Sequence, residues 1–217
     1  MSGDDLGALA SLHDPVRRGL YDLVARAGRD VSRGEAAEAA GISRTLAAFH
    51  LDRLVAAGLL ESDFRRPERK GPGSGRPAKV YRRSRAEMTV SLPPRDYGAL
   101  ASVLADVVDL LGADEQAELA ARRAGERLAG ERPGGDRPDA VEVLRERGYE
   151  PYAEGERVRL RNCPFHALAE RHPVLTCSMN LALCQGLLEG LGENPERASL
   201  DPRPGECCVV LSKTNEN

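Results

Sequence analysis

Between Asp14 and Gly58 the chain is punctuated into three short helical stretches, and this restricts its fold more than any other feature. In "DPVRRGLYDLVARAG", Val16, Leu20, Leu23, Val24 and Ala27 recur on one helical face. Pro15 suits the first turn after an Asp14 cap, and Gly28 suits the stop. In "SRGEAAEAAG", Ser32 and Glu35 have the S-x-x-E spacing of a capping box, and Gly41 ends the helix. "ISRTLAAFHLDRLVAAG" begins a third helix at a Ser43 cap and closes at Gly58. On it, Leu46, Phe49, Leu54 and Ala57 are expected inward, with Arg44, Thr45, Ala48 and Arg53 outward. "LLESDFRR" and "KVYRRS" read as two strands around the Pro/Gly/basic loop "PERKGPGSGRPAK".

Three short helices and a hairpin with a long basic tip predict a winged helix-turn-helix. A helix that follows a tight turn, here "AGIS", can enter the DNA major groove with its first side chains at base edges. The expected contacts on the third helix are Ser43, Arg44, Thr45 and His50, with Arg53 nearby. Arg65, Arg66, Lys70, Arg76 and Lys79 would reach phosphates or the adjacent minor groove from the wing. Charge supports this. Residues 65–85 hold nine Lys/Arg and a single acid, Glu68, in a chain of net charge −3. A basic segment on an acidic chain points to a local polyanion such as double-stranded DNA.

The expected architecture is α+β in three parts: a DNA-binding domain over residues 1–88, a helical dimerisation segment over 89–131, and a small α/β sensor or metal-binding domain over 139–213. In "SLPPRDYGALASVLADVVDLLG", Pro94 fits the first turn, and Tyr97, Leu100, Ala101, Leu104, Val107, Val108 and Leu111 make a broad apolar stripe suited to a homodimer. "DEQAELAARRAGERLAG" is a second, charged helix, and "ERPGGDRPD" reads as a linker. Beyond it, "AVEVLRERG" is a helix and "YEPYAEGERVRLRN" a hairpin turning at Glu154-Gly155. "PFHALAERH" and "LTCSMNLALCQGLLEGLG" are helices, and "CCVVL" is a closing strand.

No apolar run approaches the length of about 18 residues that a membrane span needs. The start, "MSGDDLGALA", has no basic region followed by an apolar stretch, so a cytoplasmic location is expected. There thiols stay reduced, and clustered cysteines more often bind metal than form disulfides. All five cysteines lie at or after Cys163: Cys163, Cys177, Cys184, Cys207 and Cys208. Cys163 and His166 have a C-x-x-H spacing that puts thiolate and imidazole on one side of a turn. Cys177 could fold back, and either Cys207 or Cys208 could join, because strand neighbours face opposite sides. Such a set suits Zn²⁺ or an iron–sulfur cluster. Cys184 reads as a buried apolar residue and His172 as a helix cap. A thiol enzyme built on Cys163 and His166 is the alternative of another class. The chain is read as no enzyme, because no orienting Asn/Asp or oxyanion loop is apparent.

"DPVRRGLYDLV", "EAAEAAGISRTLAAFHLDRLVAAGLLE", "GRPAKVYRRS", "SLPPRDY" and "NCPFHALAERHPVLTCSMN" together resemble the ArsR/DeoR-type winged-helix regulators. Among them the chain is similar to the iron–sulfur-cluster repressors of the suf operon. The resemblance implies a dimeric regulator responsive to a ligand or cluster. It would place cluster ligands on Cys163, on Cys177 and on Cys207, with Cys208 the rival. The suf-type pattern has a further cysteine near Leu191, where this chain has none and carries Cys184 instead. That departure leaves His166 as a fourth ligand and tilts the choice toward zinc. A small-molecule effector or thiol oxidation remains an alternative signal.

Overall fold

The computed structural model describes residues 3–65, 77–88, 90, 91, 93, 95–130 and 139–213. The chain divides into two compact units, Met1–Arg95 and Asp96–Asn217.

The first unit begins with helix α1 (Gly3–Ser11), which the sequence reading did not predict; its Ala8 is buried in the core. Helix α2 (Pro15–Ala27) starts where Asp14 accepts from the Arg17 amide, and it stops at Gly28 with φ 62°. Strand β1 (Val31–Ser32) leads into α3 (Arg33–Ala40) through a complete capping box. The Glu35 amide donates to Ser32 Oγ at 3.2 Å, and the Ser32 amide donates to Glu35 Oε2 at 2.8 Å. These bonds, with Arg29 alongside, hold the Glu35 carboxyl below the ordinary glutamate range. Gly41, at φ 63°, makes the turn into α4 (Arg44–Ala56), capped by Ser43. Strands β2 (Leu60–Arg65) and β3 (Ala78–Arg83) pair antiparallel, and β1 adds to the far edge in the order β1-β3-β2. The core joins Leu20 and Val24 of α2, Leu51 and Leu54 of α4, Leu60 of β2 and Tyr81 of β3.

One expectation is corrected here. The buried face of α4 is Ala47, His50, Leu51 and Leu54, while Leu46 and Phe49 are 41% and 51% exposed. The helix is rolled by about one residue from the sequence reading. Both stripes recur at three- and four-residue steps, so periodicity admits either.

In the second unit, α5 (Tyr97–Leu111) and α6 (Asp114–Gly130) precede α7 (Ala140–Glu146). A hairpin of β4 (Pro151–Glu154) and β5 (Arg157–Leu160) follows, then the single turn α8 (His166–Ala169), α9 (Pro173–Gly190), a 3-10 turn (Pro195–Arg197), β6 (Ala198–Leu200) and β7 (Val209–Ser212). The four strands form an antiparallel sheet in the order β4-β5-β7-β6. Regular pairing in β7 begins at Val209, two residues later than "CCVVL" suggests. Cys207 and Cys208 form an extension of it, with the Cys207 amide on the Leu160 carbonyl and the Cys208 carbonyl taking the Asp201 amide. Helix α9 packs on the sheet through Cys184, Leu187 and Leu188, with α7 beside it. It lies backbone-to-backbone on α6. A Cβ added at Gly125 would overlap the Leu183 carbonyl, and one at Gly186 the Arg122 carbonyl. Arg122 reinforces the crossing with two bonds to the Glu189 carboxylate, at 2.7 and 2.6 Å.

Candidate nucleic-acid interface and thiol cluster

The first candidate site is the outer face of α4 with the adjoining hairpin. Ser43 is exposed, but its hydroxyl is engaged as the cap, accepting the Leu46 amide at 3.2 Å. Arg44, Thr45 and Arg53 are exposed, and the Arg53 guanidinium lies over the Phe49 ring at 5.5 Å. Arg65 is exposed and reaches Asp30 at 3.4 Å. Lys79 is partly covered and donates to Asp52 Oδ1 at 2.7 Å. Arg66, Lys70 and Arg76, and likewise Pro94, lie outside the described residues.

His50 does not belong to this face. It is 6% exposed, its ring meets Phe49 edge-on at 5.3 Å, and its buried Nδ1 has no hydrogen-bond partner among the described residues. The roll of α4 that buries Ala47 and Leu51 carries His50 inward with them and turns Leu46 and Phe49 out. Those two apolar side chains were missed by the sequence reading. Apolar groups on such a helix can meet the thymine methyl. Asp52 was also missed. Its Oδ1 accepts from Lys79 on one side and from the Tyr81 hydroxyl, at 2.9 Å, on the other, tying α4 to β3.

The second candidate site lies at the end of the C-terminal sheet. The Cys163 thiol, between β5 and α8, lies beside the Cys207 thiol, which also neighbours Cys208. A buried relay supports them. The Tyr149 hydroxyl donates to Asn180 Oδ1 at 2.6 Å, and Asn180 Nδ2 donates to Cys207 Sγ at 3.2 Å. Cys184 is fully buried beside the Tyr149 hydroxyl. The Cys207 contact and burial push the Cys163 thiol well above the ordinary cysteine range. Cys207 is drawn down by Cys163, but Cys208 and burial outweigh that and leave it at about 11. Cys163 and Cys207 therefore favour the protonated thiol at neutral pH.

Of the five expected ligands, Cys163, Cys207 and Cys208 come together. Cys177 is half-buried on α9, one turn before Asn180. His166 does not join them. Its ring is 55% exposed and faces Glu170 at 3.4 Å. The C-x-x-H spacing closes a turn through the backbone, with the His166 amide on the Cys163 carbonyl at 3.0 Å, and the imidazole leaves on the outer side. Among the described residues, no group of three or more His, Cys, Asp or Glu side chains is disposed to hold a metal ion. His172 at the start of α9 has its Nδ1 3.0 Å from Asp109 of α5.

Sequence reasoning gave no sign of the buried Arg159, which is 0% exposed. Its guanidinium bonds to Glu154 at 2.9 Å and to the Asp201 carboxylate, and lies 3.8 Å from Glu206. This network fastens the stretch from Asp201 to Glu206, which leads directly into Cys207.

Residues 12–63, from just before α2 into β2, match a family described as a helix-turn-helix domain. The N-terminal unit thus carries a helix-turn-helix domain, the kind of module found in DNA-binding regulators. No curated protein and no solved structure matched the chain. Among the described residues, no helix is long and apolar enough to cross a membrane.

Proposed function

We propose that this chain is a sequence-specific, DNA-binding transcriptional regulator that acts as a homodimer. One observation carries the reading: a matched helix-turn-helix domain whose α4 turns Arg44, Thr45 and Arg53 to solvent directly behind a Ser43 cap. Side chains in the first turns of such a helix reach base edges, and the fork of Arg44 suits guanine O6 and N7. Arg65 and the basic run with Arg66, Lys70 and Arg76 supply the sequence-independent phosphate contacts, with Lys79 beside them held by Asp52.

Dimerisation is assigned to α5. Tyr97, Leu100, Val103, Leu104, Val107 and Leu110 are all 44–84% exposed. A stripe of this kind, depleted in charge and rich in large apolar groups, is what a self-complementary interface uses. A second copy also gives the two-fold symmetry that paired half-sites require.

The thiol cluster is proposed as the sensing or structural site. Its donor set fits a soft metal. Cys207 lies beside both Cys163 and Cys208 and receives an amide N–H on its sulfur, a soft donor set of the kind that zinc or an iron–sulfur cluster takes. Cys163, Cys207 and Cys208 would hold the group, with Cys177 the remaining donor from α9. When bound, zinc pins the β5–α8 junction to β7, whereas an iron–sulfur cluster adds sensitivity to oxidants.

The test is selection of duplexes from a random pool, followed by salt titration with wild type and Arg44→Ala. An enriched sequence that Arg44→Ala no longer distinguishes from random DNA is expected. A pool that never converges sinks the reading. Metal analysis after anaerobic purification decides the cofactor, with stoichiometric zinc or iron plus sulfide expected. Purification with neither would strike the metal from it.

A further inference from the structure

Helix α4 encloses a small side chain and displays two large ones. Ala47 is buried, while Leu46 and Phe49, three residues apart, are exposed on the face that also carries Thr45 and Arg53. Singly exposed apolar residues are ordinary on a protein surface. These two are grouped. Thr45 lies four residues before Phe49 and Arg53 four residues after it, so the three share one face, with Leu46 beside them. The Phe49 ring is held in place without being covered. The Arg53 guanidinium lies 5.5 Å from its centroid, and the His50 ring meets it edge-on at 5.3 Å. His50 is itself buried, so the Phe49 ring stands on a fixed support.

Charge decides what covers this patch. The core of a protein–protein interface is depleted of charged residues. On α4 the two apolar groups lie instead among Arg44 and Arg53. The one acid of the helix, Asp52, already holds Lys79 and the Tyr81 hydroxyl on its carboxylate. Residues 65–85 add nine Lys/Arg to the same unit. A basic surface with an apolar spot matches the DNA major groove, where phosphates flank the 5-methyl groups of thymine. Spacing agrees. Three residues advance about 4.5 Å along a helix, near the rise of about 3.4 Å between stacked bases. Leu46 and Phe49 can therefore reach neighbouring base pairs.

We infer that Leu46 and Phe49 read thymine by covering its 5-methyl group in the major groove, and so set specificity beside the hydrogen bonds of Arg44. The inference rests on the DNA-binding reading and adds to it the base and the contact. Uracil isolates that contact, because it lacks the methyl group and keeps the hydrogen-bonding groups of thymine. Burying one such carbon changes an equilibrium about fourfold.

The test uses the full chain and the duplex enriched from a random pool. Each thymine is replaced in turn by uracil, and Kd is measured by fluorescence anisotropy at fixed salt. Wild type should lose about fourfold at one or two thymines of the site and be indifferent at the others. Phe49→Ala should bind the thymine duplex at least about fourfold more weakly, and its own uracil penalty should fall below about twofold. Its binding to random DNA should stay within about twofold of wild type, because phosphate contacts carry it. An effect of uracil on duplex stiffness would persist in the variant, whereas a lost methyl contact would not. Leu46→Ala carries the same test should Phe49→Ala fail to fold. A pool that never converges removes the DNA-binding reading and this inference together. A pool that converges overturns the inference alone in any of three cases: an enriched site without thymine, uracil tolerated at every position, or a uracil penalty that both variants keep.

Discussion

Asp52 ties α4 to β3 through one carboxylate, and on the proposed DNA-binding reading removing it should move stability and DNA affinity in opposite directions. Its Oδ1 accepts from Lys79 Nζ at 2.7 Å and from the Tyr81 hydroxyl at 2.9 Å. The Lys79 pair is worth little to stability, because the Asp52 side chain is 52% exposed and exposed pairs contribute about 0–1 kcal/mol. The Tyr81 bond matters more. Tyr81 is 1% exposed, and a buried hydroxyl stripped of its partner costs about 1–3 kcal/mol. Asp52→Ala should therefore lose about 2 kcal/mol in urea unfolding. Asp52→Asn keeps an acceptor and should lose about half as much. Combining Asp52→Ala with Tyr81→Phe should recover part of the loss, because both ends of the bond are then gone.

The same change frees Lys79. One added phosphate contact steepens the plot of log affinity against log salt by about 0.9 and tightens binding at low salt. A pH signature accompanies it. Burial first, and Asp52 second, hold the Tyr81 hydroxyl above the ordinary tyrosine value. A folded pKa raised in this way gives stability that is fully present below about pH 10 and is lost as pH rises beyond it. Tyr81→Phe should flatten that alkaline loss. If Asp52→Ala and Asp52→Asn unfold alike, the Tyr81 bond is not what Asp52 contributes. If the salt slope stays put, Lys79 does not face the phosphate backbone.

Three further outcomes are expected. Gly186→Ala places a methyl group against the Arg122 carbonyl and should lower stability by about 1–3 kcal/mol, read as a fall in Tm. Arg159→Met should cost about 2 kcal/mol in chemical denaturation, less than the 3–5 kcal/mol of an isolated buried pair, because Arg203 and Arg157 still neutralise Glu154 and Asp201. Leu104→Asp, in the middle of the exposed stripe of α5, should turn a dimer into a monomer in sedimentation, and an unchanged mass would place the interface elsewhere.

The first unit was legible because its boundaries are written in local chemistry. A cap reads its own helix: Asp14, Ser32 and Ser43 bond within three residues, and Gly28 and Gly41 take the left-handed backbone that closes a turn. What local chemistry does not encode is which way a helix rolls. On α4 the stripe containing Leu46 and Phe49 carries the larger apolar groups, yet the stripe containing Ala47, Leu51 and Leu54 is buried. The larger groups stay at the surface, where a nucleic-acid partner could use them. A violation of the burial rule on the one helix proposed to touch bases is therefore an expected place for such a rule to fail. Helix α1 escaped notice for the opposite reason, since nothing in "GDDLGALAS" marks its start or stop.

The second unit was legible in outline and opaque at its centre. Confinement of every cysteine to the last third pointed to a cluster; Cys207 lies beside Cys163 and Cys208, but no group of three or more is disposed to hold a metal ion among the described residues. The hub they share is Tyr149 and Asn180, which lie 31 residues apart, and Asn180 is 27 residues from Cys207. No window of sequence shows such a relay. Arg159 is the same lesson in charge. Of the three arginines in "RVRLR", one is enclosed by Glu154 and by Asp201, 42 residues away. Spacing arguments succeed when the partner sits within a turn or two. His166 met that condition and still turned outward, because a three-residue step fixes only the side of a turn, while packing decides which side faces the core. The charge network around Arg159 and the relay through Asn180 approach the thiols from opposite ends of the Asp201–Cys208 stretch. That leaves the position of Cys207 determined by interactions made outside the cysteines themselves, the preorganisation that the proposed metal site would need.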